Sequence, residues 1–279
     1  MRSLDPMPTS HGAEAGGPAA RRWAAGLAAR AIPEHILAAA PETPHRFDVG
    51  RFARLADEAV HAQTPSTRAA RDALPPGGSV LDVGCGAGAA SLPLAPPAGL
   101  LIGCDESKAM LDAFAERARA RGVAHRVLEG RWPAVAGGAP SVDVAVCHHV
   151  VYNVSDITSF LLALDAHARR RVVVELTDGH PLAWLRPYWA ALHGIDMPDG
   201  PNAGDLLAVA DELGLRAEAE RWTRPLLRHS EDEEAVATFV RRRLCLPAAR
   251  EPEVRDLLAD QPPPSERAAA TLWWTPTGA

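Results

Sequence analysis

The apolar residues change rhythm at Ser79. Upstream, residues 22–74 carry no strand pattern and read as helices punctuated by Pro33, Pro41, Pro44 and Pro65. Downstream, short apolar runs at 79–83, 100–104, 125–128, 142–147 and 171–176 alternate with helical stretches. Several of these runs are rich in Val, Ile and Leu on both faces, as strands buried in a parallel sheet are. Helices are predicted just after Gly88, over 107–121 and over 156–167, with Ser107 and Asp156 as N-caps and Gly122 as a stop. Two more helices over 182–193 and 204–213 lead to a strand at 216–222. A charged helical insertion over 230–260, broken at Pro247 and Pro252, precedes a last strand at 268–274. Strands alternating with helices of this length form right-handed βαβ units. The prediction is an α/β fold, a doubly wound, mostly parallel seven-stranded sheet with helices on both faces. Residues 1–20, rich in Gly, Pro, Ala and Ser, read as a disordered tail, 21–74 as a helical cap or lid, and 75–279 as the main domain.

Composition narrows the picture. A chain of 279 residues with 47% hydrophobic residues can build a sizeable core. No apolar run reaches the roughly 18 residues of a membrane span. The net charge of −6 argues against a general nucleic-acid binder. Cys85, Cys104, Cys147 and Cys245 form no CxxC pair, so neither a disulfide framework nor a zinc site is expected, and a reducing cytoplasm fits. Arg21-Arg22 ahead of an apolar stretch hints at an export signal, but Arg30, Glu34 and His35 interrupt it.

The chemistry starts at Val80-Leu81-Asp82-Val83-Gly84-Cys85-Gly86-Ala87-Gly88, where a buried strand runs into three alternating glycines and a predicted helix start. Glycines there permit positive φ and close approach of a ligand to the backbone, and a helix N-terminus behind them favours negative charge. Spacing alone leaves alternatives open. Gly84, Gly86 and Ala89 also satisfy the dinucleotide pattern GxGxxA, and a tight turn that binds nothing fits too. Asp82 ends a buried strand and needs donors, either a ligand ammonium or backbone N–H groups. Asp105 ends the second strand, where an acid can bond both ribose hydroxyls. A nucleoside carrying an amino-acid group satisfies both positions.

In these motifs the chain resembles the class I S-adenosylmethionine-dependent methyltransferases. The resemblance rests on residues 80–88, on Leu101-Ile102-Gly103-Cys104-Asp105, and on Val142-Asp143-Val144-Ala145-Val146-Cys147-His148-His149-Val150, and covers about 79–177. It implies a Rossmann-like fold and S-adenosyl-L-methionine as cofactor, with S-adenosyl-L-homocysteine as product. It further implies that Gly84, Cys85, Gly86 and Gly88 wrap the methionine part, Asp82 supports the loop, and Asp105 holds the ribose. Glu106 and Met110 would flank the adenine, and the Cys147 backbone would face the methionine amino group. One departure stands out. After the third strand the family often carries an acid for the adenine amino group, where this chain has Glu129-Gly130-Arg131-Trp132. Adenine would then be held by backbone at Gly130 and Arg131 and by stacking on Trp132; the other reading of Trp132 is packing beside Pro133.

The loop after the fourth strand lies at the carboxyl edge of the sheet, where α/β ligand sites form. His148 or His149 is the candidate base for an in-line methyl transfer, and Tyr152 is a candidate beside them, with Asn153, for lining the acceptor pocket. Both histidines also read as ordinary loop residues. No metal is expected, because neighbours on a strand point to opposite faces and cannot share an ion. Glu175 and His180 are further candidates, although Asp178-Gly179 reads as a plain turn. Phe47, Phe52 and His61, residues 184–189 and the 230–260 insertion could contact the acceptor or simply pack. Glu231-Asp232-Glu233-Glu234 and Arg241-Arg242-Arg243 read as the solvated ends of one helix. The expected function is methyl transfer to an O, N or C atom of a small acceptor. The Asn-Pro-Pro-aromatic signature of nucleic-acid amino methylation is missing after the fourth strand. An RNA or protein acceptor, an NAD(P)-dependent oxidoreductase and a non-catalytic cofactor binder are the alternatives.

Overall fold

The computed structural model describes residues 16–45, 48–225 and 233–278. Its strands are β1 (Ser79–Val83), β2 (Leu100–Asp105), β3 (Ala124–Glu129), β4 (Val142–His148), β5 (Ala168–Thr177), β6 (Glu218–Pro225) and β7 (Glu266–Trp274). They form one sheet in the order β3-β2-β1-β4-β5-β7-β6. Strands β1 to β5 pair in parallel, and β7 runs antiparallel between β5 and β6. The apolar runs without alternation, in β1, β4 and β5, occupy the centre of the sheet, where both faces are covered. The edge strands β3 and β6 have polar, mostly exposed faces, and Val127 of β3 is 49% exposed.

The helices are α1 (Pro18–Ala29), α2 (Glu34–Ala38), α3 (Val49–Ala59), α4 (Pro65–Ala73), α5 (Lys108–Ala120), α6 (Ile157–His167), α7 (Arg186–His193), α8 (Ala203–Glu212), α9 (Glu233–Arg243) and α10 (Glu251–Asp260). The Ser107 and Asp156 side chains accept from Met110 N and Ser159 N and so cap α5 and α6 as expected. Alternate strand residues face opposite layers: Leu81, Ala145 and Val172 pack with α1, α6 and α8, while Val80, Val144 and Val173 pack with α3, α4 and α5. A third apolar cluster joins α7, α9 and α10 around Trp189, Met197 and Leu244.

Several expectations change. No α-helix follows Gly88. The chain makes turns and a single 3-10 turn at Leu92–Leu94, because Pro93, Pro96 and Pro97 supply no backbone donors. The first helix starts at Pro18, inside the segment read as tail: Ala19 and Ala20 are buried, and Ala19 N donates to Glu212 at 2.8 Å. Residues 1–15 lie outside the described ones, as does Phe47. The 21–74 segment is divided between layers. Helix α1 buttresses one face through the buried Trp23, whose indole donates to the Val154 carbonyl at 2.8 Å, and α4 packs on the other face. Truncating Trp23 would cost about 3–5 kcal/mol. Pro252 opens α10 instead of breaking a helix. Glu233 and Glu234 sit in the first turn of α9, while Glu231 and Asp232 are outside the described residues. Arg241 is buried, not solvated, and pairs with Glu42 at 2.6 Å and Glu251 at 3.2 Å. Among the described residues, no helix is long and apolar enough to cross a membrane, and all four cysteines are free and buried.

Candidate functional site

A cavity of about 1640 Å³ opens at the carboxyl ends of β1, β2, β4 and β5, reaching from the glycine loop to α7 and α9. This exceeds the roughly 300–1,000 Å³ of most single-ligand pockets. At one end Gly84, Gly86 and Gly88 all adopt positive φ, at 70°, 51° and 99°. A Cβ on Gly84 would stand 2.3 Å from Val150 Cγ2, so only glycine lets the two loops meet. A Cβ on Gly86 would meet Phe52 Cδ1 at 3.3 Å, which places α3 over the loop.

Asp105 accepts from Gly86 N and Ser107 N, both at 2.9 Å, and lines the cavity. Each oxygen keeps a further lone pair. Asp82 lies behind the loop, fully enclosed. Its Oδ2 accepts from the Ser91 hydroxyl at 2.6 Å, and its Oδ1 is buried without a partner. Burial pushes its pKa up to about 7 despite the Ser91 bond, with Asp105 adding to the rise. Gly130, at φ 141°, donates to the Asp105 carbonyl at 2.9 Å. Glu106 and Arg131 form an exposed pair at 3.0 Å on the rim, and Met110 is buried against the cavity.

The other end is built from side chains. Strand β4 delivers His148, and His149 follows it with φ 60°. That turn defeats the expectation that the two rings diverge. His149 Nε2 lies 2.9 Å and His148 Nδ1 3.8 Å from the same carboxylate, Glu175 of β5. Arg224 at the end of β6 donates to Glu175 Oε1 at 2.7 Å and also touches His149 Nε2. Burial outweighs the attraction of Glu175 and takes the His149 pKa down to about 4; His148 is lowered for the same reason. Burial alone would raise the Glu175 pKa, but its cationic and histidine neighbours hold it well below the usual carboxylate range. Arg224 is the neighbour that stays charged. His148 Nε2, His149 Nδ1 and Glu175 Oε2 are buried without partners. Among the described residues no cluster of three or more ligating side chains could hold a metal ion.

Residues 80–170 match the family model described as a methyltransferase domain. Residues 80–170 thus carry a methyltransferase domain. No curated protein matches it in sequence. Its fold is similar to that of the YcgJ protein of Bacillus subtilis, at 17% identity and a TM-score of 0.53 over 78% of this chain and 98% of that one. A candidate methyltransferase of Bacillus halodurans is similar at 12% identity and a TM-score of 0.50, over 81% and 98% of the two chains. Magnesium protoporphyrin IX methyltransferase from Synechocystis, solved with S-adenosylhomocysteine bound, matches at 15% identity and a TM-score of 0.47, over 79% and 82%.

The methyltransferase domain's cofactor, S-adenosylmethionine, fits the glycine end of this cavity. Gly84 and Gly86 present bare backbone to the cavity, Asp105 lines it beside them, and behind the loop Asp82 has a buried oxygen without a partner. Gly84, Cys85, Gly86, Asp105, Glu106, Met110, Gly130, Arg131 and Trp132 all line the cavity. Cys147 does not: its side chain is fully buried, because β4 runs one residue further and the loop begins at His149. Trp132 is 5% exposed and sits edge-on to His167 at 5.0 Å, so most of its surface packs in the core. Tyr152 also stays out of the cavity. Its hydroxyl bonds Thr177 Oγ1 at 2.7 Å, and burial pushes its pKa up to about 12, so it ties the loop to β5 and serves as no base. Asn153, Glu175, His180, Phe52 and Trp189 line the cavity; His61 is exposed away from it, and Trp184 stacks on Phe239. Sequence reasoning missed Arg30, Arg224 and Arg243, which arrive from α1, β6 and α9. Only the pairing of strands far apart in sequence brings Arg224 to Glu175.

Proposed function

We propose that the protein transfers a methyl group from S-adenosylmethionine to a small-molecule acceptor, with His149 as general base. The observation that supports this reading is that the glycine loop and the His148–His149–Glu175 group line one cavity, joined where Val150 touches Gly84. When bound, the cofactor supplies an electrophilic methyl on a sulfonium, and S-adenosylhomocysteine remains after transfer. The acceptor's nucleophilic atom forms the new bond to that carbon while the carbon–sulfur bond breaks and its electron pair stays on sulfur. His149 donates its Nε2–H to Glu175 and presents Nδ1, which takes the acceptor's proton. Burial keeps the ring neutral, and the bond to Glu175 restores part of the basicity that burial removes. The Arg224–Glu175 ion pair fixes the orienting carboxylate. Alignment of the two ligands in one cavity supplies most of the acceleration.

The test is incubation of the purified protein with methyl-labelled S-adenosylmethionine and separated pools of small molecules, RNA and protein. Label is expected in a small molecule, and His149→Ala should abolish transfer while S-adenosylhomocysteine still binds in calorimetry. Label confined to RNA or protein, or full activity of His149→Ala, would overturn the proposal.

A further inference from the structure

His180 lines the cavity from the turn after β5 and takes no part in the proposed proton transfer. Its ring is held in one tautomer. The Leu182 N–H donates to Nδ1 at 3.1 Å, so Nδ1 is an acceptor and the proton of the neutral ring sits on Nε2. The orientation is held as well. The ring meets Tyr152 edge-on with centroids 5.7 Å apart, and the Tyr152 hydroxyl is tied to Thr177 Oγ1 at 2.7 Å. Burial, with the charges of Arg30 and Arg243 added, pushes the pKa down to about 3, so the ring stays neutral near pH 7. Among the described residues nothing accepts from Nε2–H, yet this nitrogen is not sealed off. The walls beside it are apolar. Leu185, Trp189 and Met197 belong to the third apolar cluster, with Leu182 packed against it, and all four line the cavity. An oriented donor beside apolar walls is selective, because a ligand without the matching acceptor strips water from the N–H and replaces it with nothing.

We infer that the methyl acceptor is an apolar molecule carrying a carbonyl or carboxylate oxygen, and that His180 selects it by donating Nε2–H to that oxygen. The inference rests on the proposed methyl transfer for calling this molecule the methyl acceptor. Carbonyl and carboxylate offer the same lone pairs to one N–H, whereas an ammonium at this place would set donor against donor. Leu185, Trp189 and Met197 take the apolar body. His180 thus sets which molecule binds, while His149 acts on the atom to be methylated.

Equilibrium dialysis of the full chain saturated with S-adenosylhomocysteine tests this with probes of one shape: acetylnaphthalene, naphthoate and ethylnaphthalene, which has no oxygen. His180→Phe keeps a ring against Tyr152 and removes the N–H. It should lower the affinity for the ketone or the carboxylate, relative to the hydrocarbon, about fivefold or more, and whichever falls further is the group the site takes. His180→Gln, whose amide restores an N–H donor, should keep that ratio within about twofold of the parent. S-adenosylhomocysteine affinity should hold in both variants. On the unaltered protein, nitrogen NMR of the imidazole side chains should find His180 as the Nε2–H tautomer. An unchanged ratio in His180→Phe, an equal loss in His180→Gln, binding of neither oxygen-bearing probe to the parent, or the Nδ1–H tautomer would overturn the inference. Failure of S-adenosylhomocysteine itself to bind the parent protein would instead sink the methyl-transfer reading, and the probes can be dialysed without it.

Discussion

The two ends of the cavity solve the problem of holding a ligand by different means. At the glycine end most polar groups are met locally, Asp82 Oδ1 and Trp132 Nε1 being the exceptions. Asp105 is met by the backbone of Gly86 and Ser107, and Glu106 by Arg131, all within residues 82–132. At the other end β4, β5 and β6 bring together His148, the following His149, Glu175 and Arg224, and His148 Nε2, His149 Nδ1 and Glu175 Oε2 are buried without partners. The first end is preorganised backbone around a shape. The second stores unsatisfied polarity, which a buried site keeps at a cost of about 1–3 kcal/mol per group until a ligand meets it.

That contrast can be broken most severely at Glu175. Replacing it by Ala strands Arg224 without its carboxylate, and breaking a buried pair in this way costs about 3–5 kcal/mol. Urea unfolding should show this loss, while S-adenosylhomocysteine affinity, set by the other end, stays nearly constant. A tenfold fall in that affinity would show that the two ends are coupled.

Gly84→Ala attacks the glycine end. The positive φ costs an alanine roughly 1–2 kcal/mol, and its Cβ would displace Val150 at an overpacking cost of about 1–3 kcal/mol. Cofactor affinity should fall on the order of a hundredfold by calorimetry. Normal binding would show that the loop yields, contrary to a rigid cradle.

The ends should also respond oppositely to pH. His149 titrates near 4 when folded against an ordinary 6.5, so between those values the unfolded chain binds the extra proton. This contribution to stability is complete above pH 6.5 and is lost as pH falls toward 4. Asp82 has the reverse sign. Its pKa rises from 3.8 to about 7, so the unfolded chain releases its proton first and stability declines as pH rises across that interval. Each group acting alone gives a slope of at most about 1.4 kcal/mol per pH unit. Over this shared interval the two terms oppose one another, so unfolding free energies measured from pH 4 to 7 should fall with pH more steeply in His149→Gln than in the parent and rise with pH more steeply in Asp82→Asn. A slope change of the same sign in both variants would refute the assignment.

The glycine end was legible because its determinants are consecutive: strand, three glycines, then an acid at the end of the next strand. Even there the helix expected behind Gly88 is replaced by turns, since helical spacing says little where Pro93, Pro96 and Pro97 withhold donors. The histidines were visible but their geometry was not. Period-two alternation assumes that the strand continues, whereas His149 has left it at φ 60° and turns back toward Glu175. Tyr152 looked like site chemistry because it follows the histidines, and a bond to Thr177 across to β5 removes it. Arg30, Arg224 and Arg243 carry no local signature. Their meaning comes from long-range packing of α1, β6 and α9, which no window of sequence contains.

The smallest effect concerns Trp132, which stands between the two descriptions by lining the cavity while packing edge-on against His167. Trp132→Phe keeps an aromatic ring but shrinks the contact, and an edge-to-face pair is worth about 0.5–1.5 kcal/mol beyond its area. If the indole is chiefly a packing residue, thermal unfolding should register a loss of that size and S-adenosylhomocysteine affinity should hold within twofold. Its Nε1 is buried without a partner, so removing it leaves no acceptor stranded and should offset part of the loss. If the ring instead stacks on adenine, affinity should drop several-fold with little change in the melt. Measuring both quantities on one variant therefore decides whether the glycine end relies on its backbone alone or also on this one side chain.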